Sequence, residues 1–138
     1  MARKAAKQLM QRTKSRPDDI DLVIVATTTS DYRFSFNGIY LVRKAGAEEC
    51  FRFDMQAVCS VSCMRWKRGA NLSVRGNIKK IIIVGADKMS SVIDYTDRAT
   101  CPIFGDGAAA FMLEPTTEEV GIMDSVLRTM VKGCLFCI

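Results

Sequence analysis

The chain has no histidine among its 138 residues, so no step that needs an imidazole can be carried by these residues alone. It has no uninterrupted apolar run of about 18 residues or more, which argues against a membrane-spanning helix. The start, MARKAAKQLMQRTKSRPDD, is basic. It lacks the continuous apolar stretch and small-residue cleavage site of a secretory leader. No internal repeat or low-complexity linker is visible either. What is present is 49% apolar residues, enough for one domain with a buried core. The formal charge of +5 raises nucleic acid or an anionic cofactor as partners, but a solvated basic surface is the better account of it. Six cysteines beside long Val/Ile-rich runs fit reduced cytosolic thiols better than a disulfide framework.

The periodicity predicts a short amphipathic helix over Ala2–Gln11, with Ala5, Leu9 and Met10 apolar. Pro17-Asp18-Asp19 ends it. Ile20–Ala26 (IDLVIVA) and Lys79–Ala86 (KKIIIVGA) are β-branched runs of strand length, suited to strands covered on both faces. Their separation by helix-length intervals predicts an α/β fold with a parallel component. Ala108–Glu114 reads as a further strand, entered through a Gly105-Asp106-Gly107 turn whose glycines would permit positive φ and close backbone approach. Phe51–Ser60 (FRFDMQAVCS) is strand-like to Met55 and then turns through small residues toward a helix. That places Cys59 near a helix N-terminus, where unpaired N–H groups and the dipole favour a thiolate. A buried, inert cysteine fits this stretch as well.

Four ordered segments together carry a resemblance: DIDLVIVATTTSDYRF, FDMQAVCS, KKIIIVGADKMSS and DYTDRATCPIFGDGAAA. They resemble 3-oxoacyl-[acyl carrier protein] synthase III, a condensing enzyme of the thiolase superfamily. The resemblance implies an α/β, thiolase-like fold, with residues 1–138 forming part of its N-terminal half, a mixed sheet with flanking helices. It implies that Cys59 accepts an acyl group from acyl-CoA as a thioester, splitting one difficult carbon–carbon bond formation into two easier steps. An active-site histidine and asparagine, both expected outside this chain, would then promote decarboxylation of malonyl-[acyl carrier protein]. Phe34 matches a phenylalanine that reaches across a homodimer into the partner's acyl pocket. Gly105, Asp106 and Gly107 match a motif that shapes the sheet beside the active site, and Ala109 stands where the family usually has glycine. CoA enters as substrate, so no resident cofactor, metal, nucleic acid or membrane is implied, and the expected compartment is the cytoplasm.

Three segments depart from the family pattern in a way that single-base slips would explain. Phe34–Gly38 (FSFNG) replaces FPSTA, Val61–Arg68 (VSCMRWKR) replaces a stretch like GFLYALET, and Met130–Ile138 (MVKGCLFCI) replaces one like DGKGLPFLH. Inserting or deleting one base in a plausible coding string converts each family version into the observed one. Undoing the second slip exchanges Arg65, Lys67 and Arg68 for Ala, Glu and Thr; three cations are lost and one carboxylate gained, which takes the charge from +5 to +1. The three cations where the family has an apolar helix face predict poor solubility or a partly molten state for the isolated chain. Two other readings compete. Cys59-x3-Cys63 with Cys134-x2-Cys137 has the spacing of a four-thiolate zinc or nucleic-acid module. A related thiolase-fold synthase, of polyketide or 3-hydroxy-3-methylglutaryl-CoA type, or a noncatalytic copy, would share Cys59.

Overall fold

The computed structural model describes residues 1–30, 50–56, 78–122, 124, 126 and 128. The N-terminal helix α1 covers Ala2–Thr13, two residues beyond the predicted stretch. Its extension rests on local bonds: the Thr13 hydroxyl donates to the Leu9 carbonyl at 3.0 Å, and Lys14 closes the helix in the left-handed region at φ 53°. The Ser15 N–H then returns to the Met10 carbonyl at 3.0 Å. Pro17–Asp19 forms a single 3-10 turn, held by the Arg16 N–H donating to Asp19 Oδ2 at 2.9 Å.

Four strands follow: β1 (Leu22–Ala26), β2 (Phe51–Met55), β3 (Ile81–Lys88) and β4 (Asp106–Leu113). They form one sheet in the order β2-β1-β3-β4. β1 pairs in parallel with β2 and with β3, and β4 runs antiparallel to β3. The sheet is therefore mixed, within an α/β architecture, as the alternation of strand-like and helix-like segments indicated. Strand bounds differ from the predicted ones by about two residues. Asp21, just ahead of β1, already bonds toward both neighbouring strands, its carbonyl accepting the Phe51 N–H at 3.0 Å. Its N–H donates to the Lys80 carbonyl at 3.0 Å, and its Oδ2 accepts the N–H groups of Lys79 and Lys80 at 2.7 and 2.8 Å.

Every residue of β1 is buried, as a central strand covered on both faces requires. The alternation of side chains divides the core in two. On one face Val23, Val25, Ile82 and Val84 pack with Ala6 and Ile20, and Leu9 and Met10 of α1 lie against them. On the other face Leu22, Ile24, Ile81 and Ile83 are buried, with Phe53, Met55, Ile78 and Leu113 alongside.

The Gly105-Asp106-Gly107 expectation needs correction. Asp106 and Gly107 already belong to β4, and only Gly105 precedes it. Neither glycine takes a positive φ; among the described glycines only Gly121 does so. A Cβ at Gly105 or Gly107 would meet nothing within 4 Å. Ala109 is exposed, so its methyl crowds no close packing here. The extended pairing of Asp106 and Gly107 with Lys88 and Asp87 removes the sharp turn that would have called for glycine.

Candidate active site at the carboxyl edge of the sheet

The three parallel strands point their carboxyl ends to one edge, with Ala26 opposite both Met55 and Gly85. The chain leaves β1 toward β2 and leaves β3 toward β4, so the crevice between the ends of β1 and β3 is a topological switch point. Ligands of open α/β sheets bind in such crevices.

That crevice is closed by side chains. β3 continues three residues past Gly85, where β1 has stopped pairing. Asp87 then substitutes for the lost ladder: its Oδ1 accepts the Thr28 N–H at 2.6 Å, the Thr28 hydroxyl at 2.8 Å and the Thr27 hydroxyl at 3.3 Å. Thr27 also accepts the Thr29 N–H at 3.1 Å, and the Lys88 N–H donates to Thr29 Oγ1 at 2.7 Å. Partial burial works against the charged form of Asp87. The bonds from Thr28 and its neighbours outweigh that and hold the carboxyl below its ordinary range.

Asp106 performs a similar task one strand away. Its two oxygens accept the N–H and hydroxyl of Ser90, each at 2.8 Å, and these bonds lower its pKa. Beyond Ser90 the chain turns through Asp94 and Asp97. Asp94 accepts the Thr96 hydroxyl and N–H, and Asp97 accepts from the Thr100 hydroxyl and the Ala99 N–H. Each of these carboxyls is likewise lowered by those bonds. This connection presents Tyr95, Ile103 and Phe104 to solvent.

Of the residues singled out in the sequence, Gly105, Asp106 and Gly107 are described and lie at the start of β4. Cys59 and Phe34 lie outside the described residues, as do Cys63, Cys134 and Cys137 of the alternative zinc module. Cys59 follows the last residue of β2 by four positions in the sequence, and β2 ends at the same edge as β1, from which the Thr27–Thr29 turn continues. Among the described residues no group of three or more His, Cys, Asp or Glu could hold a metal ion, and no helix is long and apolar enough to cross a membrane. Cys50, at the entry to β2, has its thiol pushed up by burial, the opposite of what a thiolate nucleophile needs. Sequence reasoning assigned no role to Asp87 or to Thr27–Thr29. The signal was there: a lone acid and three consecutive hydroxyls, each directly after an apolar strand run.

Comparison with known proteins decides the family. The family model of 3-oxoacyl-[acyl-carrier-protein (ACP)] synthase III matches residues 53–130, more than half of the chain. The chain belongs to that family. Beta-ketoacyl-[acyl-carrier-protein] synthase III 1 of Bacteroides thetaiotaomicron is 76% identical over 136 residues, covering 99% of this chain and 41% of that protein. The chain thus spans about two fifths of the length of the curated synthases it matches. Among solved structures, 3-oxoacyl-[acyl-carrier-protein] synthase III from Aquifex aeolicus superposes with a TM-score of 0.81 at 31% identity, over 86% of this chain and 38% of that one. The priming beta-ketosynthase of the R1128 polyketide pathway gives 0.80 at 28%, over 84% and 35%. The fold is therefore that of the synthase III family, and the mixed sheet described above is part of it.

Proposed function

We propose that this chain carries the acyl-accepting part of a synthase III that initiates fatty-acid synthesis. The Cys59 thiolate attacks the carbonyl carbon of a short acyl-CoA, the new C–S bond forms, and the old one breaks with CoA leaving as its thiolate. In the second half-reaction malonyl-[acyl carrier protein] loses CO2, and the carbanion attacks the acyl-cysteine. The product is a 3-oxoacyl-[acyl carrier protein], and the Cys59 thiolate is regenerated. The observation that carries this reading is the family match, which contains Cys59 within residues 53–130. These 138 residues contain no histidine, so an imidazole for the decarboxylation must come from outside them, and condensation by the chain alone is not expected.

The same reading gives Phe34 its place in a partner's acyl pocket, hence a homodimer, and a cytoplasmic setting, with CoA as substrate and no resident cofactor or metal. We further infer that Phe34–Gly38, Val61–Arg68 and Met130–Ile138 are out of frame. Uninterrupted codons for VSCMRWKR in a functional gene would remove that idea. The likeness to the polyketide priming ketosynthase keeps a second reading open, in which the acyl-cysteine step is the same and the carrier-bound acceptor differs.

Mass spectrometry after incubation with acetyl-CoA tests the shared step. A single acetyl adduct, lost in Cys59→Ala, is expected. No adduct, or one that persists in Cys59→Ala, refutes the assignment and favours a noncatalytic copy.

A further inference from the structure

We propose that the solvent face of α1 is an adsorption surface for an anionic lipid leaflet, held there by charge alone. This role is independent of the acyl-transfer chemistry proposed above.

The positive charge of the chain is concentrated in one place. Of its 20 cations and 15 acids, residues 1–17 hold Arg3, Lys4, Lys7, Arg12, Lys14 and Arg16 and no acid, so the other 121 residues carry a net −1. None of the six lies in a segment read as out of frame. All six are exposed, and among the described residues only Arg16 has an ion-pair partner, Asp19 at 3.6 Å. Arg3, Lys7 and Lys14 line one groove along α1, together with Met10, Gln11 and Pro17. The first two turns of the helix gain nothing from this arrangement. α1 has no acid in its first turn and no side-chain cap, so Arg3 and Lys4 stand against the positive end of the helix dipole. Arg3 and Lys7, four residues apart, repel each other on one flank. An anionic surface relieves both.

The form of the face selects a lipid leaflet among polyanions. The apolar side of α1 is already committed, with Ala6 buried and Leu9 and Met10 packed on the sheet, so α1 does not insert as an interfacial helix does. What remains is a strip of cations on a helix about 18 Å long, able to meet several headgroups of a flat leaflet at once. Clusters of about four to eight Lys or Arg on an amphipathic helix are the pattern that anionic lipids attract. Residues 1–17 hold no aromatic side chain, so the stacking platform of a single-strand binder is missing. Such adsorption is compatible with a cytoplasmic setting, since the cytoplasmic leaflet carries the negative surface potential.

Co-sedimentation with vesicles tests this on the 138-residue chain. Vesicles of equal parts phosphatidylcholine and phosphatidylglycerol should bind it, and vesicles of phosphatidylcholine alone should not. Each cation near an anionic surface is worth about fivefold in partitioning, so Arg3→Gln with Lys7→Gln should weaken binding roughly thirtyfold. Glutamine keeps the helix propensity of both residues, so the circular dichroism should be unchanged. Lys88→Gln with Arg98→Gln removes the same charge at and beyond the end of β3. That variant should stay within about twofold of the unaltered chain, because those cations are not held within a screening length of the surface. Raising salt from about 0.1 M to about 1 M, which shortens that length from ~10 Å to ~3 Å, should release the chain. No binding to the mixed vesicles overturns the proposal. So does equal binding to phosphatidylcholine alone, the mark of exposed apolar surface, or binding that ignores salt, or an equal loss in both double variants. Duplex DNA that strips the chain from the vesicles at equal phosphate concentration overturns it too, and assigns the face to nucleic acid.

Discussion

Ile83→Ala asks whether the sheet has a specifically packed core. Ile83 is fully buried at the middle of β3, opposite Ile24 of β1 and Phe111 of β4. Truncation removes three buried carbons, which at ~0.8 kcal/mol per group is ~2.4 kcal/mol of lost transfer energy. Two hydrogen-bonded neighbouring strands prevent collapse around the void, and the cavity contribution brings the cost to about 3–4 kcal/mol. That is a large share of the ~5–15 kcal/mol that holds a typical domain, and corresponds to a fall of about 10 °C in melting temperature at this chain length. Urea unfolding followed by near-UV and far-UV circular dichroism reads the change directly. Ile103→Ala, at a site 74% exposed, serves as the control and should stay within about 0.5 kcal/mol. A loss below about 1 kcal/mol for Ile83→Ala, or a shallower denaturant slope, would refute a packed core. It would point instead to the loosely collapsed state anticipated from Arg65, Lys67 and Arg68.

Two further outcomes follow from the surface of the sheet. Because the Asp87 carboxyl is lowered in the folded chain, its contribution to stability is fully present above the ordinary carboxylate range and is lost as pH falls through the lowered value. The difference in urea midpoint between the unaltered chain and Asp87→Asn should therefore be widest above about pH 4 and close in stronger acid; a gap of constant size down to about pH 2 would contradict this. β4 is an edge strand among the described residues, and Gly107–Leu113 carries no charge, the kind of edge that invites pairing with other chains. Ala109→Lys should raise the concentration at which light scattering begins, and an unchanged onset would show that this edge does not drive association.

The strands were legible because Leu22–Ala26 and Ile81–Val84 are buried on both faces, and such burial leaves an unbroken apolar run. Their ends were less legible because they depend on partners distant in sequence. The Asp21 carboxylate meets Lys79 and Lys80, about 60 residues away, just ahead of β1 and β3, and β3 runs on to Lys88 because Asp106 lies opposite it. The glycines flanking Asp106 misled for the opposite reason. Glycine permits a tight turn without requiring one, and here the antiparallel ladder claims Asp106 and Gly107. Cys59 and Phe34 were found through resemblance, since neither residue type in isolation declares its chemistry. Asp87 illustrates the complementary case. Its environment is built from Thr27 and Thr28, about 60 residues upstream, and no local pattern announces that meeting.

The unequal strand lengths have a mechanical consequence. β3 and β4 are eight residues each, beside five in β1 and β2, so a two-stranded ribbon projects about 10 Å beyond its neighbours. Two-stranded ribbons coil more steeply than wide sheets, and this one works as a cantilever carrying residues 89–105 at its free end. Asp87, with the bond from Lys88 to Thr29, ties it back to β1, so any load placed on that end passes through these few side-chain bonds before it reaches the rigid sheet.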